Sequence, residues 1–302
     1  MNTPHTSVLL QETIEGLDLQ PGFVVVDATV GAGGHSLLMS EQIGPTGLVI
    51  GFDADKNALQ LASEKLATGP AKFIPIESNF RHLATKLEEI GIGSVDAVLF
   101  DLGVSSMQLD SGKRGFSFRF NEPLLMTLKT TPTADDLTAL DLVATLEAKD
   151  LAIILKNYGE EQFADKISSA IVEARRTAPI DTTFRLIEVI ESAVPNWYKK
   201  RRLHPATKTF QALRIATNDE LGALTEGLES AWGMLKTGGR LAVISFHSLE
   251  AKIVKNFYKD KKTSGLGEII SKKVIRPSRT EIVENKRSRS ASLRIIKKLS
   301  DR

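Results

Sequence analysis

The residues best placed to do chemistry lie in a glycine-rich turn that follows an apolar segment. Residues 23–36 read FVVVDATVGAGGHS, a strand that ends in Asp27 and a turn with Gly31, Gly33 and Gly34. Glycine permits a tight turn and lets the backbone come close to a ligand, because it has no Cβ. The helix that opens behind the turn offers unpaired N–H groups to polar ligand atoms. The stretch therefore predicts a binding turn.

A second acidic residue indicates what the turn binds. Asp53 ends the apolar segment 48–52 and follows Gly33 by twenty residues. An acidic side chain at that place in a strand–turn–helix–strand unit can accept hydrogen bonds from the two hydroxyls of a ribose. The pattern thus predicts an adenosine-containing cofactor. The alternative is a tight turn between strand and helix that binds nothing.

The elements around these residues must bring the strand ends together. Apolar segments alternate with helical patterns at 55–67 and 81–90; the segments are 23–26, 48–52, 72–76 and 95–100. This alternation predicts a parallel sheet with helices on both faces, in which ligands bind beyond the carboxyl ends of the strands. Asp27, Asp53, Asn79 and Asp101 fall at that edge.

The alternation of strand and helix patterns stops between residues 110 and 214. Helical patterns occur there without a convincing strand, at 135–155, 160–175 and 182–194. The α/β pattern then resumes with a helix over 218–235, a turn over 236–239 and a strand over 240–246. We therefore predict an α/β domain in two parts, 1–109 and 215–302, interrupted by a helical insertion over 110–214.

Composition excludes several classes of protein. None of the 302 residues is cysteine, which excludes disulfides, thiolate catalysis and cysteine-ligated metals. No His/Asp clustering suggests a metal site, and no apolar run is long enough to span a bilayer. The N-terminal residues do not read as a signal peptide, so the cytoplasm is the expected location.

The charge is unevenly distributed. Residues 251–302 hold sixteen Lys+Arg against five Asp+Glu, whereas the chain as a whole has a net charge of only +2. A polyanionic partner is the expected reason, with a solvated basic terminus as the alternative. Within this tail, residues 276–302 are expected to contact phosphates, although Ile282, Val283, Leu293 and Ile295 could pack on the sheet.

Several long motifs resemble one family. They include DATVGAGGHS from Asp27, DLGVSSMQLDSGKRGFSF from Asp101, HPATKTFQALRIATNDEL from His204 and ISFHSLE from Ile244. In this order and over nearly the whole chain, they are similar to the RsmH (MraW) family. That family consists of S-adenosylmethionine-dependent methyltransferases that modify the exocyclic N4 of one cytosine in the decoding region of small-subunit (16S) rRNA.

The resemblance implies a fold and a set of site residues. The fold is α/β, a Rossmann-like methyltransferase domain with an inserted helical domain that would recognise the substrate, the 30S subunit or its precursor. Cofactor contacts are implied for Gly33, Gly34, His35, Asp53, Phe80, Asp101 and Gln108. No metal and no membrane are implied, and the oligomeric state stays open.

The chain departs from the family pattern in two places. Met107 stands where the family usually has proline, and residues 123–129 read PLLMTLK where the usual pattern is PLDMRMD. Leu125, Thr127 and Lys129 thus replace Asp, Arg and Asp. The departures bear on substrate placement and leave the cofactor residues unchanged.

The implied reaction assigns a role to Asp101. The N4 lone pair of cytosine is delocalised, so an enzyme must hold the amine in line with the methyl group and accept an amino proton. Asp101 stands where other amino-methylating enzymes place a polar residue, but DLGV lacks the prolines that often follow it there. Asp101 either bonds the N4 amine directly or serves only the cofactor.

Other residues have open roles. The target base must leave its stack, and Phe116, Phe118 and Phe120 could stack on it or instead plug the joint between domains. Candidate phosphate contacts are Arg114, Arg119, Arg175, Arg176, residues 199–202 and the arginines of the tail. The ordinary interpretation of any single one of them is a solvated charge. His204 and His247 are interpreted as structural histidines.

Two alternatives to the methyltransferase remain at this point. One is a nicotinamide-dependent oxidoreductase, since Gly31, Gly33 and Asp53 also suit a dinucleotide, although Ser36 replaces the third fingerprint glycine. The other is a non-catalytic RNA-binding or ribosome-assembly factor that keeps the fold.

Overall fold

The computed structural model describes residues 7–104, 108–109 and 113–300. Met107 and His5 lie outside these ranges. The chain divides into two compact units, Met1–Gly103 with Leu221–Arg302, called here the sheet unit, and Val104–Glu220, the helical unit. The sequence places the corresponding boundaries at 109/110 and 214/215.

The sheet unit is built on a seven-stranded sheet in the order β3-β2-β1-β4-β5-β7-β6. Strands β1 to β5 run parallel, and β7 is antiparallel to β5 and β6. The predicted α/β fold is thereby confirmed. The strands are β1 (Val24–Asp27), β2 (Leu48–Asp53), β3 (Lys72–Glu77), β4 (Val95–Asp101), β5 (Leu235–Ser245), β6 (Gly267–Ile269) and β7 (Ser292–Lys298).

Helices cover the sheet unit and make up most of the helical unit. In chain order they are α1 (Leu10–Leu17), α2 (Gly34–Ile43), α3 (Lys56–Leu66), α4 (Leu83–Glu89), α5 (Ala139–Thr145), α6 (Ala148–Gly159), α7 (Ala164–Thr177), α8 (Thr183–Ala193), α9 (Asn196–Lys199), α10 (Thr207–Asn218), α11 (Glu220–Met234), α12 (Ser248–Thr263) and α13 (Arg279–Glu284). Short 3-10 turns span Phe80–His82 and Lys286–Ser290. Within the described residues, none of the helices has the length and apolar character required to cross a membrane.

The central strands are apolar because both of their faces are covered. On one face, Val26 and Phe100 belong to a buried cluster with Leu228 of α11. On the other face, Val25 clusters with residues of α1, α2 and α3, including Met39. Strands buried on both sides read as continuous apolar runs, which is why the sequence predicts them well.

The helix predicted over 135–155 is two helices. Leu146 and Glu147 are extended, with ψ of 145° and 156°, and they separate α5 from α6. The Arg175 guanidinium donates hydrogen bonds to the carbonyl oxygens of Val143 (2.8 Å) and Leu146 (2.7 Å) at this break. Arg175 therefore satisfies the carbonyls at the end of α5. Its proposed role as a phosphate contact is not supported.

The turn predicted over 236–239 lies inside β5, which begins at Leu235 and not at Arg240. Leu235 pairs with Val95 and Arg240 pairs with Ala97, so the register shifts and the intervening residues of β5 form an irregularity. Gly238 takes up the distortion at a φ of +88°. The Lys236 ammonium pairs with the Asp96 carboxylate at 2.8 Å.

The basic tail belongs to the sheet. Strand β7 lies between β5 and β6, and its Leu293 and Ile295 are fully buried. The Lys298 ammonium is buried as well and donates to the carbonyl oxygens of Trp232 and Leu235 at 3.0 and 2.6 Å. Leu293 and Ile295 thus pack on the sheet, as the sequence allowed, and removing residues 276–302 would strip an interior strand from it.

This position of β7 predicts a contrast between two substitutions in the tail. Ile295→Ala should lower the free energy of unfolding by about 2–5 kcal/mol, because it leaves a cavity in the core. Val283→Ala should change it by less than about 0.5 kcal/mol, because Val283 is 70% exposed. Urea unfolding followed by circular dichroism measures both, and equal losses would contradict the placement of β7.

Candidate active site

Three aspartates end three neighbouring strands of the sheet. Asp27, Asp53 and Asp101 are the last residues of β1, β2 and β4, which lie side by side in the order β2-β1-β4. The chain turns from one side of β1 to the other between β3 and β4, so β1 and β4 flank the switch point of the sheet. Ligands of open α/β sheets bind in the crevice at such a point.

The carboxylate of Asp53 holds the glycine turn in place. Its Oδ2 accepts a hydrogen bond from the Gly31 N–H at 3.0 Å, and its Oδ1 accepts one from the Asp55 N–H at 2.9 Å. Burial raises the pKa of Asp53 to about 6, against the opposing effect of these two bonds. Each carboxylate oxygen has a further lone pair, so Asp53 can still accept bonds from a ligand.

The glycines of the turn are required by conformation and packing. Gly31 and Gly33 have φ of +50° and +75°, in the region that favours glycine. A Cβ at Gly33 would lie 2.8 Å from the Leu66 side chain of α3, and one at Gly34 would overlap the Ser7 hydroxyl. Gly33, the residue at the N-cap of α2, has no side chain with which to cap the helix. The turn therefore leaves the capping role of its helix to backbone, solvent or ligand.

Asp27 is almost fully buried, and two groups of the turn serve it. The Ser36 hydroxyl donates to Oδ2 at 2.6 Å and the Thr29 N–H donates to Oδ1 at 3.2 Å. Burial nevertheless raises the pKa of Asp27 to about 6. Ser36 stands where a dinucleotide fingerprint has glycine. Its hydrogen bond offsets part of the free-energy cost of burying the Asp27 carboxylate.

Asp101 has the most perturbed carboxyl group of the three. Burial raises its pKa well above the usual range, and the charges of Asp27 and Glu250 add to the effect. Its backbone N–H donates to the Thr29 hydroxyl at 2.6 Å. Its Oδ1 is buried and has no hydrogen-bond partner among residues 7–104, 108–109 and 113–300. Such an orphaned acceptor indicates a place for a ligand.

His35 lies beside Asp101. Its Nε2 is 3.0 Å from the Val8 carbonyl oxygen, which can only accept, so Nε2 carries the proton. Its Nδ1 faces the Asp101 Oδ2 at 3.6 Å. The fixed tautomer turns an acceptor nitrogen toward a carboxyl group that burial tends to keep protonated.

Phe80 and Gln108, the other two cofactor residues implied by the family, belong to different units. Phe80 is half-buried, with its ring centroid 5.3 Å from that of Phe100 in edge-to-face geometry, and it packs close to Gly227 of α11. Gln108 belongs to the helical unit, and its side chain is buried. The sheet unit thus brings together Gly33, Gly34, His35, Asp53, Phe80 and Asp101.

Sequence reasoning did not single out Glu250. This buried residue starts α12 in a capping box with His247, in which the His247 Nδ1 accepts from the Glu250 N–H. The Glu250 Oε2 accepts from the Phe246 N–H at 2.7 Å. The signal in the sequence was a polar residue three positions before a glutamate at a helix start. His247 therefore has the structural role expected of it.

Arg114 is a structural residue of the helical unit. Its buried guanidinium donates to the carbonyl oxygens of Leu128 (2.8 Å) and Lys129 (3.1 Å). Asn218 holds the same segment, because its Nδ2 donates to the Met126 carbonyl oxygen at 2.7 Å and its Oδ1 accepts from the Leu128 N–H at 2.9 Å. The phosphate contact predicted for Arg114 is wrong.

These bonds place the three departures from the family pattern. Leu125 is partly buried, Thr127 is buried with its hydroxyl accepting from the Lys129 N–H, and the Lys129 ammonium pairs with Asp136. Arg114 and Asn218 grip the segment through its backbone. The bonds from Arg114 and Asn218 therefore do not use the side chains at 125, 127 and 129.

The aromatic run of the helical unit is mostly packed. Phe116 belongs to the buried core, and Phe118 stacks on His204 with ring centroids 4.7 Å apart. Phe120 alone of the three is exposed. His204 also accepts from the Ala206 N–H through Nδ1, as expected for a structural histidine.

The chain is similar to known methyltransferases along its whole length. The MraW methylase family matches residues 2–299. A ribosomal RNA small subunit methyltransferase H of Symbiobacterium thermophilum is 44% identical over 98% of this chain and 96% of its own, and one of Geobacter sulfurreducens is 44% identical over 99% and 100%. A solved rRNA methylase of Streptococcus thermophilus covers 95% of this chain and 92% of its own at 13% identity, with a TM-score of 0.44, too low to bear on the assignment.

Family and geometry agree at the switch point of the sheet, where the glycine turn, Asp53 and Asp101 meet. The match over nearly all residues overturns the nicotinamide-dependent oxidoreductase considered above. The chain belongs to the MraW methylase family, and it is an S-adenosylmethionine-dependent methyltransferase.

Proposed function

We propose that this methyltransferase acts in the cytoplasm on the exocyclic N4 of one cytosine in the decoding region of small-subunit rRNA. Asp101 carries the proposal, because its buried, unpartnered Oδ1 offers an acceptor at the switch point of the sheet. Two relatives at 44% identity are named ribosomal RNA small subunit methyltransferases, which supports rRNA as the substrate. The identity of the base rests on the resemblance described above.

The residues present fit S-adenosylmethionine, which supplies a methyl group on a positively charged sulfonium. The spare lone pairs of Asp53 suit the ribose hydroxyls, and the half-buried ring of Phe80 suits one side of the adenine. Gly33, Gly34 and His35 open α2, whose first N–H groups suit the polar atoms of the methionine part. Gln108 stays a proposed contact from the helical unit.

Asp101 would act on the amino group of the cytosine. As the nitrogen forms its new bond it must lose a proton, and the Asp101 carboxylate is proposed to accept it. A carboxyl group with a raised pKa is a better proton acceptor once ionised, and a nearby positive charge favours the ionised form. The surrounding burial excludes water that would compete for this proton.

A lysine stripe on α12 supports a polyanionic substrate. Lys252, Lys255, Lys259 and Lys262 are exposed and follow one another at spacings of three and four, so they share one face of the helix. None of them pairs with an acidic residue within the described part of the chain. This stripe is one part of the positive surface of the basic tail, whereas the buried Lys298 ammonium serves the sheet.

Cofactor affinity should depend on pH through Asp53. Because its pKa is near 6 in the free protein and hydrogen bonds from the ribose favour the ionised form, affinity for S-adenosylmethionine should fall as pH drops from 7.5 to about 5. Asp53→Asn should weaken binding at pH 7.5 by about 1–3 kcal/mol and show a smaller pH dependence. Titration calorimetry measures both.

Asp96→Asn is the matched control for Asp53→Asn. Asp96 lies near the amino end of β4, where it pairs with Lys236, and the substitution should leave cofactor affinity unchanged. Equal affinities of the wild type and Asp53→Asn at all pH values would remove Asp53 from the ribose role.

Asp101→Asn separates catalysis from cofactor binding. If the carboxylate accepts the amino proton, turnover should fall by more than cofactor affinity does, since an amide cannot take up that proton. Single-turnover methyl transfer and calorimetry on the same preparation give the two quantities. Equal losses in both would assign Asp101 to cofactor binding alone.

The product tests the proposed function as a whole. We expect cells without this protein to lose N4-methylation at one decoding-region cytosine, and the purified protein to restore it. Methylation at C5 is not expected, because it normally requires a cysteine nucleophile and the chain has none. Nucleoside digestion followed by mass spectrometry identifies the product; 5-methylcytidine or a methylated purine would refute the proposal.

A further inference from the structure

The helical unit exposes a tryptophan beside a run of cations. Trp197 in α9 is 57% exposed, and Leu203 is exposed as well. Between them lie four exposed cationic residues, Lys199, Lys200, Arg201 and Arg202, with no acidic residue in the segment. We call residues 197–203 the Trp197 segment. Tryptophan is highly buried on average, so an exposed indole next to an exposed leucine and four cations is a candidate binding surface.

Packing underneath holds the Trp197 segment firmly. Tyr198 is buried, and its hydroxyl donates to the Glu161 Oε2 at 2.7 Å. The Trp197 ring centroid lies 5.8 Å from both the Phe163 and the Tyr198 ring, in tilted and edge-to-face geometry. The indole is thus supported by neighbouring rings while more than half of its surface faces solvent. A ring held this way loses little conformational freedom when a ligand stacks on it.

The cations of the segment are available to a partner. Within the described residues, none of the four forms an ion pair, and the Arg201 guanidinium instead lies 5.4 Å above the Tyr198 ring. Several other cations of the helical unit are paired, as Lys156 is with Asp165 and Arg185 is with Glu188. The segment therefore presents positive charge that no neighbouring acidic side chain offsets.

We propose that the Trp197 segment binds single-stranded RNA, with a base stacked on Trp197 and phosphates on the cations of residues 199–202. Aromatic stacking combined with basic side chains is the usual way in which proteins hold unpaired nucleotides. A duplex keeps its bases stacked on one another and cannot use the indole. The proposal rests on the proposed rRNA substrate and adds where the helical unit holds it.

Tryptophan fluorescence reports this contact directly. The chain has two tryptophans, and Trp232 is buried, with the Lys261 and Lys298 ammonium groups within 6.0 Å of its ring. A 12-nucleotide single-stranded RNA of mixed sequence should quench the emission of Trp197 in the full chain. In Trp197→Leu the remaining emission should not respond, and affinity for the same RNA should fall about 5–100-fold.

Charge and aromatic controls separate the contributions. Arg201→Gln/Arg202→Gln should reduce the slope of log K against log salt by about 1, whereas Lys156→Gln/Arg185→Gln, which removes the same charge from paired sites, should not. Phe184→Leu removes another exposed ring of the helical unit and should leave RNA affinity unchanged. An unchanged far-UV circular dichroism spectrum and melting curve for each variant shows that its helical unit is folded.

Three results would overturn the proposal. The first is that single-stranded RNA does not quench the wild-type protein and that Trp197→Leu binds the RNA with wild-type affinity. The second is equal quenching by a duplex of the same length, and the third is quenching by anionic lipid vesicles only. Methylation of the small subunit is measured separately. If wild-type protein methylates rRNA and Trp197→Leu binds RNA normally, this proposal fails and the proposed function stands. If Trp197 is quenched but no N4-methylcytidine forms, the proposed function fails and the binding surface stands.

Discussion

The need to keep three carboxylates in a desolvated place shapes the sheet unit. Asp27, Asp53 and Asp101 lie at adjacent strand ends, and burial raises the pKa of each. For Asp27, a pKa of about 6 in place of 3.8 means that the ionised form costs about 3 kcal/mol at neutral pH. The carboxyl group of Asp27 holds its proton more tightly in the folded protein than in the unfolded protein. The resulting loss of folding stability therefore grows as pH rises from about 4 to 6. Hydrogen bonds from Ser36 and Thr29 stabilise the ionised form of Asp27, and the Gly31 N–H does so for Asp53. A positively charged ligand would stabilise the ionised forms further.

In the helical unit, irregular backbone segments are held by side chains that bond to backbone groups. Arg114 and Asn218 hold residues 126–129 through hydrogen bonds to backbone carbonyl and N–H groups, which every residue type offers. Arg175 likewise donates to a backbone carbonyl oxygen at the end of α5. Arginines that look like phosphate contacts in a sequence can equally be buried donors, since five N–H groups satisfy several carbonyls at once.

The sequence predicted the parts of the fold that obey local rules. Strands β1, β2 and β4 are continuous apolar runs that end in aspartate, and the glycine turn between β1 and α2 has a strong local signal. It did not predict that β5 begins at Leu235, ahead of the irregularity at residues 236–239, because glycine and lysine signal a turn there and the pairing of Leu235 with Val95 is not visible in a local pattern. The buried position of β7 and the effect of Glu250 on Asp101 depend on partners far along the chain, which no local pattern encodes. The cofactor role of Gln108 stays a prediction.

The two-part sheet has a consequence for synthesis of the protein. Strand β4 ends at Asp101, but its neighbour β5 is complete only at Ser245, after the whole helical unit has been translated. At about 5–20 residues per second, the nascent chain carries β4 as an unpaired edge for roughly 7–30 s. Open edges of this kind pair readily with other chains. The helical unit is contiguous in sequence and can fold during this interval. Strands β1 to β4 cannot complete their sheet until β5 and β7 have been synthesised. A chaperone that shields the open edge of β4 would therefore act during this interval.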